Sequence, residues 1–570
     1  MNKKCDFELR LLYHSARTAV LEIVDGGRYE TVRPYRISVN GEAPFETSRT
    51  VNNLFCLKPD SQVTVSVRPA SPAADSAAVG NPADSAADSA AEGCPACPAA
   101  DSAAEGCPTD SAVTYAEEKT VSFHTDYESV TLNVRDFGAK GNGVSDDTLF
   151  LQAAIWACPK DGRVLVPEGV YRFSCLQLKS FLHLQLEKGA VLKAFTEEER
   201  LPLLPGMVSY YDETDEYNLG SWEGNPLPMR MPLISGLNAE GVLLCGEGVI
   251  DGAASHENWW RKERVKALPA RPRLFFLSHC RDVVVQGLCF QNSPSWTIHP
   301  YFCRQLAFYG TQVFNPAVSP NTDGLDPESC SGVQIIGMHF SLGDDCIAIK
   351  SGKIYMAKKY HTPSQQMMIR QCLLENGHGA VTIGSEIAGG VRDVTVEDCI
   401  FRHTDRGLRI KTRRGRGKDS VLDAIRFCRI DMDEVKTPFV INSFYYCDPD
   451  GHTLYVSDRS ARPVDERTPS IGKVSFEQID CRGAHVRAVH IEGLPEQKIE
   501  EALFSDVSIR MSDRPQKGLA AMAEGVEECC AGGMFIRNVK HLVLDHVRIE
   551  GTAGPAYDLD QIDRIEEGHS

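Results

Sequence analysis

The sequence predicts an all-β fold: an elongated β-solenoid from about residue 130 onward, preceded by a small β-sandwich. Three observations carry this. Short apolar strands recur as VVVQGLCF (283–290), LAFYGTQVF (306–314), VQIIGMHF (333–340), MMIRQCLL (367–374) and VTVEDCIF (394–401), with starts 23, 27, 34 and 27 residues apart. Variable repeats of this length, alternating in polarity and poor in helix signals, mark coils that each bury a face against the next. The residues after each strand fall into a common register, which a propeller or a sandwich, the main competitors, would not produce. Ahead of the coils, AVLEIV, YRISVN, QVTVSV and KTVSFHT alternate like strands separated by turn residues.

The first 125 residues are read as the sandwich and 126–570 as the solenoid. LKPDSQVTVSV resembles the late-strand motif of fibronectin type III domains, with Val63 where that family usually has a tyrosine. Between QVTVSV and KTVSFHT lies an Ala/Asp/Ser/Pro tract at 69–113, in which AADSAAEGCP occurs twice unchanged. Such a composition buries too little apolar area to offset its ordering entropy, so disorder is expected, as an enlarged loop between the last two sandwich strands. Cys94 and Cys97 form a C-x-x-C inside the tract, which repetition explains better than chemistry.

A net charge of −18 argues against general affinity for nucleic acid or anionic membrane. No apolar run approaches the roughly 18–20 residues of a membrane span. Near the N-terminus Asp6, Glu8, Arg10, His14 and Arg17 interrupt any apolar signal core, so a cytoplasmic location is expected. The 20 cysteines sit singly in strand-like segments, which fits reduced, buried thiols. No cluster has metal-ligand spacing in the sequence and no glycine loop suits a phosphate, so neither metal nor cofactor is expected.

Two Asp-Asp pairs separate structure from chemistry. In VSDDTLFLQAAIWAC, Ser145 reads as a helix N-cap with Asp146 and Asp147 in the first turn, where the helix dipole favours negative charge. Asp344 and Asp345 in SLGDDCIAIKSG precede a β-rich run and have no such justification. Counting from the last apolar residue of each strand, SLGDDCIAIKS, ENGHGAVTIGS and RHTDRGLRIKT align. Positions seven and nine hold Ile347 and Ile349, Val381 and Ile383, Leu408 and Ile410, expected inside. Positions eight and ten then point outward, placing Arg409 and Lys411 on the wall. Position four holds Asp344, His378 and Asp405, and Asp323 precedes Leu325 as Asp345 precedes Ile347. Rungs about 4.8 Å apart would gather Asp323, Asp344, Asp345, His378, Arg409 and Lys411 into one outer column.

N-T-D-G at 321–324, G-D-D-C at 343–346, G-H-G at 377–379 and R-I-K at 409–411, in that order, resemble the four signatures of the polygalacturonases of glycoside hydrolase family 28. VRDFGAKGNGVSDDT is similar to the N-terminal cap of such enzymes. The resemblance implies a right-handed single-stranded parallel β-helix that hydrolyses α-1,4-galacturonide linkages, with polygalacturonate or oligogalacturonides as substrate. It implies Asp344 as general acid, Asp323 and Asp345 as activators of water in an inverting reaction, and His378 as tuner of the acid or a contact to substrate. Arg409 and Lys411 would grip the uronate carboxylate, and Tyr445 or Tyr446 would offer a sugar platform, with core packing as the equal alternative. TRRGRGK adds Arg413, Arg414, Arg416 and Lys418 as a local positive patch, with a solvated loop as its alternative. Trp222, Trp259 and Trp260 are expected to pack under a long loop, while His299 borders the site or not with equal weight. The loop-like stretch from Thr196 to Met231 favours exo action by blocking one end of the groove. The competing readings are an endo-acting enzyme, a rhamnogalacturonan or xylogalacturonan hydrolase, a pectate lyase, and a non-catalytic β-helical carbohydrate-binding protein.

Overall fold

The computed structural model describes residues 6–70, 118–209, 216–218, 222–447 and 449–568. From Val130 onward the chain winds as a parallel β-helix in which each coil adds one strand to each of up to three stacks. The first stack runs through Arg281–Gln286, Arg304–Tyr309, Ser331–Ile336 and Ser364–Arg370, all paired in parallel. The second holds Cys289–Gln291, Gln312–Phe314, His339–Ser341 and Leu373–Glu375. The third holds Asp345–Ile349, Gly379–Gly384, Arg406–Lys411, Thr437–Asn442 and Arg487–Glu492. Alternate residues of all three stacks point inward and fill a continuous apolar core.

Runs such as VVVQGLCF, which read as single strands in the sequence, are two strands around a corner. The corner is a residue in the left-handed region: Gly287 at φ +76°, Gly310 at +54° and Gly337 at +71°. Glycine takes that conformation without steric cost. VTVEDCIF is the exception, lying within the continuous strand Val391–Arg402.

The helix cap corrects one expectation. Ser145 does not cap a helix, because it belongs to the strand Asn142–Asp146 and the helix begins at Thr148. Asp146 instead accepts from the Thr148 N–H and hydroxyl at 3.0 and 2.5 Å, and Asp147 accepts from the N–H groups of Lys140 and Gly141. The pair still has a structural explanation, by turn bonding to nearby backbone rather than by sitting in the first helical turn.

Ahead of the helix, Glu8–His14, Ala19–Val24 and Val51–Leu54 form one antiparallel sheet. Phe45–Arg49, Glu30–Val39, Gln62–Pro69 and Lys119–His124 form another. Their shared core includes Leu21, Tyr35, Ile37, Val63 and Val65. Residues 71–117, which include most of the repeat tract and its C-x-x-C, lie outside the described residues. This unit docks on the first stack, where Val20 and Val51 pack against Tyr309 and Ile336. The Gln286 side chain donates to the Ala19 carbonyl at 3.1 Å, and Arg370 pairs with the buried Glu22 at 3.0 Å. Among the described residues the cysteines are free and most are buried. No helix of the described residues is long and apolar enough to cross a membrane.

Candidate active site

The site stands on the third stack, and its register is the one the sequence implies. Ile347 lies opposite Val381 and Val381 opposite Leu408, while Arg409 pairs with Thr382 and Lys411 with Gly384. Leu325 bridges Ile347 in parallel and the Gly324 N–H donates to the Asp345 carbonyl, so Asp323 lies one rung before Asp345. Carboxylate oxygens of Asp323, Asp344 and Asp345 consequently lie within 4.8 Å of one another. That spacing, invisible in the sequence, would by itself also admit a cation, but Lys411 and Lys350 already bring positive charge to the cluster.

The two glycines of G-H-G make room for these acids. A Cβ on Gly379, which faces Asp345 across the rung, would fall 2.8 Å from an Asp345 carboxylate oxygen and 2.2 Å from the Thr382 hydroxyl. A Cβ on Gly377 would come within 2.6 Å of the Asp344 carbonyl. Between them, the His378 N–H donates to the Asp344 carbonyl at 2.9 Å, and its ring Nδ1 lies 3.6 Å from the Asp344 carboxylate. The side chains of His378 and Asp344 are 54% and 21% exposed, so this is the side on which the cluster meets solvent. Asp405 is drawn to Lys436 at 2.8 Å instead.

The three carboxyls have different surroundings and hence different proton affinities. Burial, reinforced by the like charges of Asp344 and Asp326, pushes Asp323 well above the usual carboxylate range. Burial works on Asp345 too, but Lys411 at 2.8 Å and Arg409 at 3.3 Å outweigh it and hold Asp345 well below that range. His378 is raised by its bond to Asp344, against partial burial. The cluster thus combines a carboxyl whose burial favours the protonated form, a carboxylate held ionised by two cations, and a third group at the opening.

Arg409 and Lys411 are themselves buried, under Tyr445 and Met522. The Tyr445 ring centre is 5.9 Å from the Arg409 guanidinium carbon and 5.6 Å from Lys411 Nζ. With only 6% of its surface exposed, Tyr445 orients the two cations rather than offering an open sugar platform. Tyr446 stacks on His452 at 4.8 Å. The stretch TRRGRGK forms no free basic patch. Arg413 is bound bidentately to Asp450, and Arg414 to Glu496 and four carbonyls. Arg416 is buried, and only Lys418, paired with Glu466, sits out in solvent.

Several functional neighbours lie outside the motifs that the sequence singles out. Lys350 occupies position ten of its own coil, the outward position that identified Lys411, and lies 4.0 Å from Asp323, 3.6 Å from Asp326 and 3.3 Å from Glu386. His299 does not border the opening. It is wholly buried, bonded to Glu328 at 2.9 Å, and kept neutral by burial and by nearby Arg273 and Lys350. Trp259 and Trp260 pack in the core as expected. Trp222 does more than pack under a loop. It stacks parallel on Trp296 at 6.4 Å, and the Trp296 ring centre in turn lies 4.4 Å from Lys350. On the Arg409 side the 512–531 stretch crosses the column. Arg406 donates to the Leu519 carbonyl at 2.8 Å, the Asn442 side chain donates to the Met522 carbonyl at 3.0 Å, and Arg409 reaches the Met522 sulfur at 2.9 Å.

Proton donation beside fixed cation recognition is what cleavage of a charged glycan demands, and the comparisons with known proteins fall in that class of enzyme. The chain belongs to family 28 of the glycosyl hydrolases, whose family model matches residues 211–530. A model of rhamnogalacturonase A/epimerase, pectate lyase-like proteins matches 131–186. A probable polygalacturonase of Vitis vinifera is 30% identical over 390 residues, 67% of this chain and 74% of the relative. The crystal structure of an exopolygalacturonase from Thermotoga maritima superposes with a TM-score of 0.60 at 26% identity, covering 74% of this chain and 92% of that one. The family 28 exopolygalacturonase of Yersinia enterocolitica shares the fold over 99% of this chain and 98% of its own, with a TM-score of 0.67 at 16% identity. The protein is a pectin-hydrolysing glycosidase of the polygalacturonase family.

Proposed function

We propose that the protein hydrolyses α-1,4-linked galacturonides from a chain end, with inversion at the anomeric carbon. The observation that carries this is the division of labour in the cluster: Asp345 clamped by Lys411 and Arg409, Asp323 buried where the protonated form is favoured, and Asp344 at the opening. As substrate fills the opening, the proton held on Asp323 passes to Asp344. Asp344 then protonates the leaving glycosidic oxygen, while Asp323, now a carboxylate, and Asp345 hold and deprotonate the attacking water. Lys411 and Arg409 turn their remaining donors to the uronate carboxylate.

The carboxyl spacing bears on the stereochemistry. Inverting glycosidases usually separate their two carboxyls by about 6.5–9.5 Å, and retaining ones by about 5–5.5 Å. Oxygens within 4.8 Å lie nearer the second range. A covalent role nevertheless suits Asp345 poorly, since Arg409 and Lys411 engage both of its oxygens, which is why inversion is preferred.

Exo action rests on the two segments over the column, Trp222 on Trp296 at one side and Leu519–Ala523 at the other, and on the likeness to the Thermotoga enzyme. Chain-end release predicts mono- or disaccharide from the first time points on polygalacturonate, read by chromatography. A ladder of intermediate oligomers early in the reaction would establish an endo enzyme instead. The strand pairing of residues 8–124, three strands against four, supports the fibronectin type III-like reading of the first 125 residues.

A further inference from the structure

We propose that Lys350 is a positioning residue of the reaction: its ammonium, lodged between Asp323, Asp326 and Glu386, holds the Asp323 carboxyl at the cluster and sets how readily it ionises. The inference rests on the hydrolase reading above and adds a group outside the four signature motifs. Lys350 is 3% exposed, with its Nζ 4.0 Å from Asp323, 3.6 Å from Asp326 and 3.3 Å from Glu386, over the face of Trp296. It stands two rungs from Lys411 in the same outward row, with Gly384 between them. Lys411 bonds Asp345, while Lys350 bonds Glu386 and faces Asp323 and Asp326.

The charges facing this pair come from every neighbouring coil. Asp326 and Glu328 follow Asp323 on its own coil, and Asp344 and Asp345 precede Lys350 on its own. Glu386 stands on the next coil, where Arg416 and Lys411 also face it. Arg273 and the neutral His299 approach from the preceding coils, and Arg271 adds a second cation on that side. Asp326 is the informative neighbour. It is fully buried, neither of its oxygens has a hydrogen-bond partner among the described residues, and burial pushes it up to about 7. A carboxyl so placed within Lys350's reach balances the ammonium. Replacing either group shifts Asp323, and in opposite directions.

The sign is set by charge alone. Lys350 favours the ionised form of Asp323, so its loss makes Asp323 harder to ionise. Asp326 disfavours that form, so its neutralisation makes Asp323 easier to ionise. The test is the pH dependence of kcat on an oligogalacturonide for wild type, Lys350→Met, Lys350→Arg and Asp326→Asn. Removing a charge within about 4–6 Å moves a carboxyl by about one to three units. Lys350→Met should therefore raise the acidic limb by that amount, with kcat below the limb falling about tenfold per unit. KM should change by less than about threefold, because Lys350 is placed to act on Asp323 rather than on substrate. Lys350→Arg should restore most of kcat, and Asp326→Asn should lower the limb. A limb that stays in place in Lys350→Met, or that moves the same way in both variants, overturns the inference. Should Lys350→Met fail to fold, an unmoved limb in Asp326→Asn overturns it equally. A wild-type protein inert on oligogalacturonides would instead deny the hydrolase reading, so the two failures are distinguishable.

Discussion

Asp344→Asn should lose about 10²–10⁴ in kcat, the usual worth of a positioned general acid, or about 3–5 kcal/mol of barrier. The variant should fold normally. The Asp344 side chain is partly exposed, its backbone carbonyl keeps the bond from the His378 N–H, and an asparagine oxygen can still accept the 2.9 Å bond from the Asp345 N–H. What asparagine cannot do is receive the cluster's proton and hand it to a leaving oxygen. Initial rates on polygalacturonate, with thermal unfolding as the control for folding, measure this. Turnover within about threefold of wild type would remove Asp344 from the acid's role.

The second large effect is expected at Lys411. Its ammonium is buried, bonds Asp345 at 2.8 Å and lies 5.6 Å from the Tyr445 ring centre. Lys411→Met leaves the Asp345 carboxylate with Arg409 alone and removes a donor for the uronate. Loss of one preorganised donor in a dry site typically costs about 10²–10³ in rate, and a fall of that order in kcat/KM is expected. Lys411→Arg should rescue little, since the guanidinium fork needs width that Tyr445 and the neighbouring Arg409 occupy. An arginine variant at wild-type rate would show that charge alone matters there.

The register of the site is legible in the sequence because period-two alternation, once anchored on Phe340, Leu374 and Phe401, fixes every later side chain of the coil. Ile347, Val381 and Leu408 stack as that rule requires. The same rule reaches Lys350, at position ten of the first coil, and Asp326, one residue past Leu325. Neither belongs to a signature motif, and their chemistry emerges only when stacking sets them beside Asp323 and Glu386. Other features have no local signal. TRRGRGK reads as a basic patch until Asp450 and Glu496, tens of residues away, arrive to neutralise it. Met522 and Leu519 meet Arg409 and Arg406 through a fold-back more than 110 residues long. The corners at Gly287, Gly310 and Gly337 are hidden inside apolar runs, because the strand residues on both sides of each glycine pack into the core, as Val285 and Phe290 do around Gly287. Ser145 fails as a cap because it lies in a strand two residues short of the N-cap position at Asp147, and the Thr148 N–H at the helix start is taken by the Asp146 carboxylate.

Following the wild-type protein on a short oligogalacturonide by proton NMR, with the first turnovers resolved before mutarotation, is the most direct trial of the acid cluster and its carboxylate-held water. The expected product is a saturated uronide whose new reducing end is first seen as the β-anomer. An initial α-anomer would put a covalent intermediate in place of the water, and an unsaturated product, or no cleavage at all, would contradict hydrolysis at this column altogether.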